Sequence, residues 1–186
     1  MDEIRIHGRG GQGSVVMAEL IAKAAFEGGK YSLSFPFIGS GERRGAPVES
    51  YVRISDEPIR LREKIQNPDY IIIQDDSIIE IIDVFKGLKP NGTVIINSEK
   101  SSDEFKNIVK GENVKIFTID ANKISIETIG KPIVNSALLG AFAAITGEIP
   151  IDAVVKSVKE KFSGEIGEKN AEAVMNAFKA CGGEIK

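Results

Sequence analysis

Three glycines, Gly8, Gly10 and Gly13, form the pattern in this sequence that most suggests chemistry. They satisfy G-x-G-x-x-G between residues 3–7, whose alternation predicts a strand, and Ser14–Glu27, whose apolar spacing predicts a helix. In that context the motif indicates a tight turn, close approach of the backbone and a helix N-terminus that faces an anion. A turn that merely needs glycine at positive φ would leave the same pattern.

The residues around this loop argue against two common phosphate-binding sites. A nucleoside-triphosphate loop needs a lysine after its last glycine, but Gly13 is followed by Ser14 and Val15. An NAD site expects an acidic residue near the end of the second strand, and residues 30–37, which are predicted to form that strand, contain none. The loop is therefore not expected to bind either nucleotide in the usual way.

The second candidate is a loop that contains two adjacent arginines, Gly41-Glu42-Arg43-Arg44-Gly45-Ala46-Pro47. All seven arginines lie in the first third of the sequence, and beyond Arg62 only lysine carries positive charge. Because the guanidinium group offers a planar fork of donors to carboxylates and phosphates, this distribution indicates anion or partner recognition in the N-terminal third. The loop either binds a phosphorylated ligand or forms a salt-bridge patch with Glu42, Glu49 and a partner chain.

Other side chains that could act as acids, bases or ligands have simpler explanations. His7 is the only histidine and could carry a proton, but without an adjacent nucleophile a structural role is favoured. Asp75 and Asp76 could act as a carboxylate pair, but capping of a following helix explains them more simply. The single cysteine, Cys181, can form no internal disulfide and cannot by itself hold zinc or an iron–sulfur cluster. We therefore assign no catalytic residue and no metal ligand.

Strand and helix patterns alternate along the chain. Apolar runs predict further strands at residues 48–54, 70–73, 93–96 and 113–119. Helical spacing predicts further helices at residues 78–86, 137–146, 151–162 and 169–180. These elements predict one domain over residues 1–186, an α/β fold with three layers (α/β/α) and a mostly parallel, mixed sheet. Residues 48–54 are expected to run antiparallel, because the connection from Phe37 is too short for a helical crossover.

The composition narrows the classes of function and location. The sequence has 186 residues, of which 42% are hydrophobic and 27% charged, with a formal net charge of −3. That charge suggests no nucleic acid partner. The acidic start, Met1-Asp2-Glu3, is unlike a secretory signal, and no apolar run approaches the roughly 20 residues that cross a bilayer. A cytoplasmic location without membrane association is expected.

Taken together, several short motifs resemble the gamma subunits of the 2-oxoacid:ferredoxin oxidoreductase family, in particular those of pyruvate ferredoxin oxidoreductase. The resemblance extends to the C-terminal helices and rests chiefly on five N-terminal segments: residues 7–13, Phe35-Pro36-Phe37, residues 41–47, Pro58-Ile59-Arg60 and Pro68-Asp69-Tyr70.

This resemblance implies that the chain belongs to a multi-subunit enzyme. The enzyme would oxidatively decarboxylate a 2-oxoacid to its acyl-coenzyme A and pass the electrons to ferredoxin. Thiamine diphosphate and [4Fe-4S] clusters would lie in partner subunits, so the chain alone would be inactive. The resemblance also implies a role in admitting coenzyme A, which we assign to Gly10, Gly11, Gln12, Gly13, Arg43 and Arg44. Pyruvate is the expected substrate, and a branched-chain 2-oxoacid or a purely structural assembly role is the alternative.

Overall fold

The computed structural model describes residues 1–37 and 44–184 and contains a six-stranded sheet. The strands lie in the order β2-β3-β1-β4-β5-β6. Their bounds are β1 Asp2–Arg9, β2 Tyr31–Phe37, β3 Pro47–Ser55, β4 Tyr70–Ile73, β5 Thr93–Asn97 and β6 Lys115–Ile119. All six strand predictions are therefore confirmed, with ends that differ by at most two residues.

The sheet is mixed, as predicted. Strands β1, β4, β5 and β6 pair in parallel, whereas β3 is antiparallel to both β1 and β2. The expected antiparallel element at residues 48–54 is thus confirmed. Because β1, β4 and β5 are parallel, their carboxyl ends meet at one edge of the sheet, where α/β proteins usually bind ligands.

One face of the sheet is covered by α-helices. Alternate residues of the strands, such as Ile4, Ile6, Val52 and Ile54, point to this face and are fully buried. The helices are α1 Ser14–Glu27, α2 Ala121–Ile129, α3 Asn135–Thr146, α4 Ile151–Lys161 and α5 Gly164–Ala180. Within the described ranges, none of the helices is long and apolar enough to cross a membrane.

The helix predictions were less accurate than the strand predictions. The predictions for α1, α3 and α4 are confirmed to within two residues, whereas α5 begins five residues earlier than predicted. Helix α2 was missed, although Asp120 at its N-cap and Gly130 at its C-cap are the usual boundary signals.

The opposite face carries a thinner layer of turns and two 3₁₀ helices, Asp76–Glu80 and Ser102–Phe105, above a second apolar cluster. The helix predicted at residues 78–86 is wrong. Asp83 accepts a hydrogen bond from the Phe85 N–H in a local turn. The buried guanidinium of Arg5 donates to the carbonyl oxygens of Val84 and Lys86, at 2.9 and 2.7 Å. These contacts compete with helical bonding, and they fasten the segment to the sheet.

Candidate functional site

The glycine loop lies at the carboxyl end of β1, beside the carboxyl ends of β4 and β5. From β1 the chain passes through α1 to β2, which lies on one side of β1 in the sheet. Strands β4 and β5 lie on the other side of β1. This reversal of strand order opens a crevice of roughly 870 Å³. The carboxyl edge at such a point is the usual ligand position in open α/β sheets.

Two glycines of the loop adopt backbone conformations that other residues rarely reach. Gly11 has φ +97° and Gly13 has φ +79°. Gly13 is the N-cap of α1, and a Cβ added to it would lie 2.6 Å from Nδ2 of Asn135. A turn that requires glycine is therefore present, and it directs the start of α1 toward the crevice.

Two helices present uncapped N-termini to this crevice. The N-cap residues are Gly13 for α1 and Val134 for α3, and neither has a side chain that accepts a hydrogen bond from the first N–H groups of its helix. Both residues line the crevice. Asn135 joins the two ends by donating to the carbonyl of Gly13 at 3.4 Å. The first N–H groups of a helix lack partners within it, and its dipole attracts negative charge, so this arrangement suits an anion.

Helix α2 also begins at the crevice, but its N-terminus is occupied. The Asp120 carboxylate accepts from the Lys123 N–H at 2.8 Å, and Asn97 Oδ1 accepts from the Ala121 N–H at 3.0 Å. A fixed negative charge thus already lies at this end. The anion-binding capacity of the crevice therefore belongs to α1 and α3.

The side chain of Gln12 is occupied within the loop itself. Its Oε1 accepts from the Arg9 N–H at 2.7 Å, and its Nε2 donates to Asp75 Oδ2 at 3.1 Å. Arg9 Nε donates to the same carboxylate oxygen at 3.0 Å. Of the residues we assigned to coenzyme A, Gln12 therefore uses its amide to shape the loop, and the residue also lines the crevice.

Asp75 is the centre of this clamp. Burial raises the pKa of the Asp75 carboxyl, but hydrogen bonds from Ser77, Gln12 and Arg9 outweigh that effect and hold the pKa below its usual value. Asp75 also accepts from the Ser77 N–H at the start of the first 3₁₀ helix, which confirms the capping interpretation for Asp75 but not for Asp76, the first residue of that helix. Asp76 accepts from the Ser98 hydroxyl at 2.7 Å and lies 3.7 Å from Lys100 Nζ. Each aspartate thus has a local partner.

The segment that carries the arginines lies against the glycine loop. The Gly10 N–H donates to the Ala46 carbonyl at 2.8 Å, and the Gly45 N–H donates to the Gly10 carbonyl at 3.0 Å. A Cβ on Gly11 would lie 3.9 Å from Cγ of Arg44, which is exposed. Arg43 lies outside the described residues. The structure therefore brings Arg44 to Gly10 and Gly11, beside the crevice.

Of the residues in the alternative salt-bridge patch, Glu49 and Arg44 lie within the described part of the chain. Glu49 pairs with Lys64 at 3.0 Å rather than with an arginine of the described residues, and Glu42 lies outside them. Three of the seven arginines, Arg5, Arg9 and Arg53, have internal partners that fix loops to the sheet. The clustering of arginine in the first third of the sequence is thus partly structural.

His7 points to the face of the sheet that the α-helices do not cover, and it does not line the crevice. Its Nε2 accepts from Arg5 Nε at 3.0 Å, and its Nδ1 lies 4.0 Å from Glu49 Oε1. Burial, with a smaller contribution from Arg5, lowers the pKa of His7 to about 4, so the ring is neutral at pH 7. This environment favours the structural role.

Several polar residues of the crevice were not predicted. Gln74 directly follows β4, Asn97 ends β5, and Asn135 begins α3. Gln74 and Asn97 could have been predicted, because each is a polar residue that directly follows an apolar run of strand length. Asn135 reaches the crevice only through the packing of α3, which the sequence pattern does not indicate. Among residues 1–37 and 44–184, no group of three or more His, Cys, Asp or Glu side chains is placed to hold a metal ion.

Comparison with known proteins identifies the family. Residues 3–180 match the family model described as pyruvate ferredoxin/flavodoxin oxidoreductase. The pyruvate synthase subunit PorC of Methanothermobacter thermautotrophicus is 54% identical over 178 residues, 96% of this chain and 94% of that protein. The common gamma subunit of the pyruvate/ketoisovalerate oxidoreductases of Pyrococcus abyssi is 49% identical, with 96% of each chain covered.

Solved structures agree with this assignment. The crystal structure of the pyruvate oxidoreductase subunit PORC of Thermotoga maritima has a TM-score of 0.84 and 32% identity and covers 96% of this chain and 95% of its own. The 2-oxoglutarate:ferredoxin oxidoreductase of Magnetococcus marinus shares the fold at a TM-score of 0.78 and 20% identity, covering 97% of this chain and 31% of its own. The chain therefore belongs to the pyruvate ferredoxin/flavodoxin oxidoreductase family, as the gamma subunit of a 2-oxoacid:ferredoxin oxidoreductase.

Proposed function

We propose that this gamma subunit forms part of the coenzyme A site of its oxidoreductase. The observation that carries the proposal is the meeting of two uncapped helix N-termini, those of α1 and α3, in one crevice with the Arg44 segment beside it. Coenzyme A carries phosphates at one end. These groups suit the N–H groups of Gly11 and of the first turn of α1, which have no hydrogen-bond acceptor among the described residues, together with the Arg44 guanidinium.

The charges around the crevice are compatible with an anionic ligand. Its three carboxylates, Asp75, Asp76 and Glu99, would repel phosphates if they were free. However, Asp75 is paired with Arg9, Asp76 lies close to Lys100, and Glu99 is exposed to solvent, which screens its charge. The apolar side chains of Val16, Ile133 and Phe162 line another part of the crevice and suit an uncharged portion of the ligand.

The Magnetococcus marinus structure was solved with coenzyme A and succinyl-CoA bound. That protein shares the fold, and its bound ligands agree with a coenzyme A role for an enzyme of this kind. We accordingly propose that coenzyme A is a substrate of the whole complex and that residues 1–186 act in it as one gamma-type domain.

We further propose that the other subunits carry out the redox chemistry. One cysteine in 186 residues is too few for a [4Fe-4S] cluster, which needs about four ligands. Thiamine diphosphate and the clusters would therefore lie in partner subunits, and electrons would reach ferredoxin through them. On this proposal the chain is inactive alone and works in the cytoplasm, without nucleic acid or membrane partners.

Pyruvate is the proposed 2-oxoacid. The relative from Methanothermobacter thermautotrophicus is a pyruvate synthase subunit, whereas the Pyrococcus abyssi subunit is common to pyruvate and ketoisovalerate oxidoreductases. A gamma subunit that two enzymes share indicates that the other subunits choose the oxoacid. Exchange of this chain between the two kinds of complex is therefore expected to leave substrate preference unchanged.

The test is the Michaelis constant for coenzyme A, measured on the intact complex. Replacement of Arg44 by Ala removes a charge-assisted contact to phosphate, so we expect the KM for coenzyme A to rise about tenfold while kcat at saturation changes less than twofold. Arg62→Ala is the matched control, because Arg62 is also an exposed arginine of the N-terminal third but belongs neither to the loop of residues 41–47 nor to the segments that carry the family resemblance.

An unchanged KM for coenzyme A in both Arg43→Ala and Arg44→Ala would contradict the ligand role. If these variants instead weaken association of the subunits, as measured by mass photometry, the purely structural assembly role is favoured. Arg43 is included because the sequence places it beside Arg44.

A further inference from the structure

A buried glutamine connects the elements that form the crevice. The side chain of Gln74, which directly follows β4, is only 1% exposed. Its Oε1 accepts from the Ser14 hydroxyl at 2.6 Å, and its Nε2 donates to Asn135 Oδ1 at 2.5 Å. Ser14 begins α1 and Asn135 begins α3, so a single carboxamide joins both uncapped helix N-termini.

The contacts extend from Gln74 to the glycine loop. Asn135, held by Gln74, donates its Nδ2 to the Gly13 carbonyl at 3.4 Å. A Cβ on Gly8 would lie 2.1 Å from Oε1 of Gln74 and 2.4 Å from Oγ of Ser14. Glycine at position 8 thus makes room for the glutamine, and the first and last glycines of the motif both lie against this group of contacts.

The backbone of Gln74 is fixed as firmly as its side chain. Its N–H donates to the His7 carbonyl at 2.8 Å, and its carbonyl accepts from Asn97 Nδ2 at 2.9 Å. Asn97 in turn accepts from the Ala121 N–H at the start of α2. The residue cannot shift without disturbing β1, β5 and three helix N-termini.

We infer that Gln74 is a positioning residue, which holds the glycine loop and the starts of α1 and α3 in the geometry that receives the anionic ligand. The inference rests on the proposed function for the identity of that ligand. Gln74 acts through Ser14 and Asn135 and is not itself required to touch coenzyme A. The carboxamide supplies both the acceptor for Ser14 and the donor for Asn135, so an apolar replacement of similar shape or an ionised glutamate loses at least one contact.

The experiment replaces Gln74 by Met, which has a similar shape but forms neither hydrogen bond. The matched control is Asn170→Leu. The Asn170 carboxamide is 3% exposed, accepts from the Ser136 hydroxyl at 2.7 Å and donates to the Ile166 carbonyl at 2.8 Å. Both variants therefore remove a buried carboxamide that accepts from a serine hydroxyl and donates to an amide oxygen. Asn170 reaches the start of α3 through Ser136, but among the described residues it has no hydrogen bond to the glycine loop.

Two quantities are measured on the intact complex. The first is amide hydrogen exchange of peptides that cover residues 8–16, without coenzyme A. We expect Gln74→Met to raise this exchange at least fivefold and Asn170→Leu to leave it unchanged. The second is the steady-state rate, for which we expect at least a fivefold rise in the KM for coenzyme A, with less than a twofold change in kcat and in the KM for pyruvate.

The two measurements separate this inference from the proposed function. No greater exchange in the loop for Gln74→Met than for Asn170→Leu would overturn the positioning role. Raised exchange with an unchanged KM for coenzyme A would support the positioning role and contradict coenzyme A binding by the loop. If Gln74→Met fails to assemble, Ser14→Ala is the substitute, because it removes only the donor to Gln74 Oε1; unchanged exchange in that variant overturns the inference.

A double-mutant cycle tests whether Gln74 acts through Asn135. If it does, the effects of Gln74→Met and Asn135→Leu on the KM for coenzyme A are not additive, and the double variant resembles the more affected single variant. Additive effects would contradict this route.

Discussion

Individual residues of the conspicuous motifs have different roles in the structure. Of the six positions we assigned to coenzyme A, Gly11, Gln12 and Gly13 line the crevice, Arg44 lies beside Gly11, and Arg43 lies outside the described residues. The Gln12 amide is also bonded to Arg9 and Asp75, and Gly10 is bonded to the backbone of residues 45 and 46. A motif therefore combines residues that are open to the crevice with residues that shape the loop, and only the hydrogen bonds distinguish them.

Gly13 allows the cost of the loop geometry to be measured. Gly13→Ala combines an unfavourable positive φ with a Cβ 2.6 Å from Asn135, whereas Gly130→Ala has the same φ of +79° and nothing within 4 Å. We expect Gly130→Ala to lower the free energy of unfolding by about 1 kcal/mol and Gly13→Ala by at least about 1 kcal/mol more. Chemical denaturation of the full chain measures both, and equal losses would show that Asn135 moves aside freely.

His7 predicts a pH dependence of stability. Its pKa is about 4 in the folded chain and about 6.5 in the unfolded chain, so the unfolded state binds the extra proton first. The groups that face it are Arg5, Glu49 and Lys64. Stability is therefore expected to fall as the pH falls from about 6.5 to about 4, by roughly 3 kcal/mol from this residue.

His7→Gln removes that titration and retains an acceptor for Arg5. The free energy of unfolding is compared as a function of pH for the original protein and for His7→Gln. The difference between the two curves isolates the histidine, since carboxylates such as Glu49 and Asp75 titrate in both proteins. Denaturation curves collected between pH 7 and pH 4 provide the comparison. Parallel profiles would contradict the assigned environment of His7.

At the scale of elements, the strands were more predictable than the helices. Buried strands such as Tyr70–Ile73 are continuous apolar runs that local composition reveals. The helix predicted at residues 78–86 does not form because Arg5, some 80 positions earlier in the sequence, takes the carbonyls of Val84 and Lys86. The glycine loop was predictable because its residues are contiguous, whereas Gln74, Asn97 and Asn135 meet only after the strands and helices have packed.

Helices α1 and α4 are joined by three surface ion pairs, Lys23–Glu160, Lys156–Glu27 and Lys161–Glu19. Exposed pairs are weak and screened by salt. Replacement of the three lysines by Gln should lower Tm in low salt by no more than about 4 °C, and the difference should disappear near 1 M NaCl.

The matched control replaces three other lysines by Gln and therefore changes the net charge by the same amount. These lysines, Lys86, Lys110 and Lys179, have no carboxylate partner among the described residues. An equal loss of Tm in the control would assign the effect to net charge rather than to the ion pairs.

At the scale of the whole molecule, the fold gathers at one edge of the sheet the groups that an anion needs. The carboxyl ends of β1, β4 and β5, the uncapped starts of α1 and α3, and Arg44 all lie there. As the gamma subunit of a 2-oxoacid:ferredoxin oxidoreductase, the chain is part of a larger assembly. The division of labour we propose assigns redox chemistry to the partner subunits and part of the coenzyme A site to this one.

The most direct test is an electron cryomicroscopy structure of the intact complex with coenzyme A bound. We predict a phosphate of the ligand within hydrogen-bond distance of the N–H groups at the start of α1 and of the Arg44 guanidinium. Coenzyme A bound elsewhere, with this crevice filled by a segment of a partner subunit, would contradict the proposal.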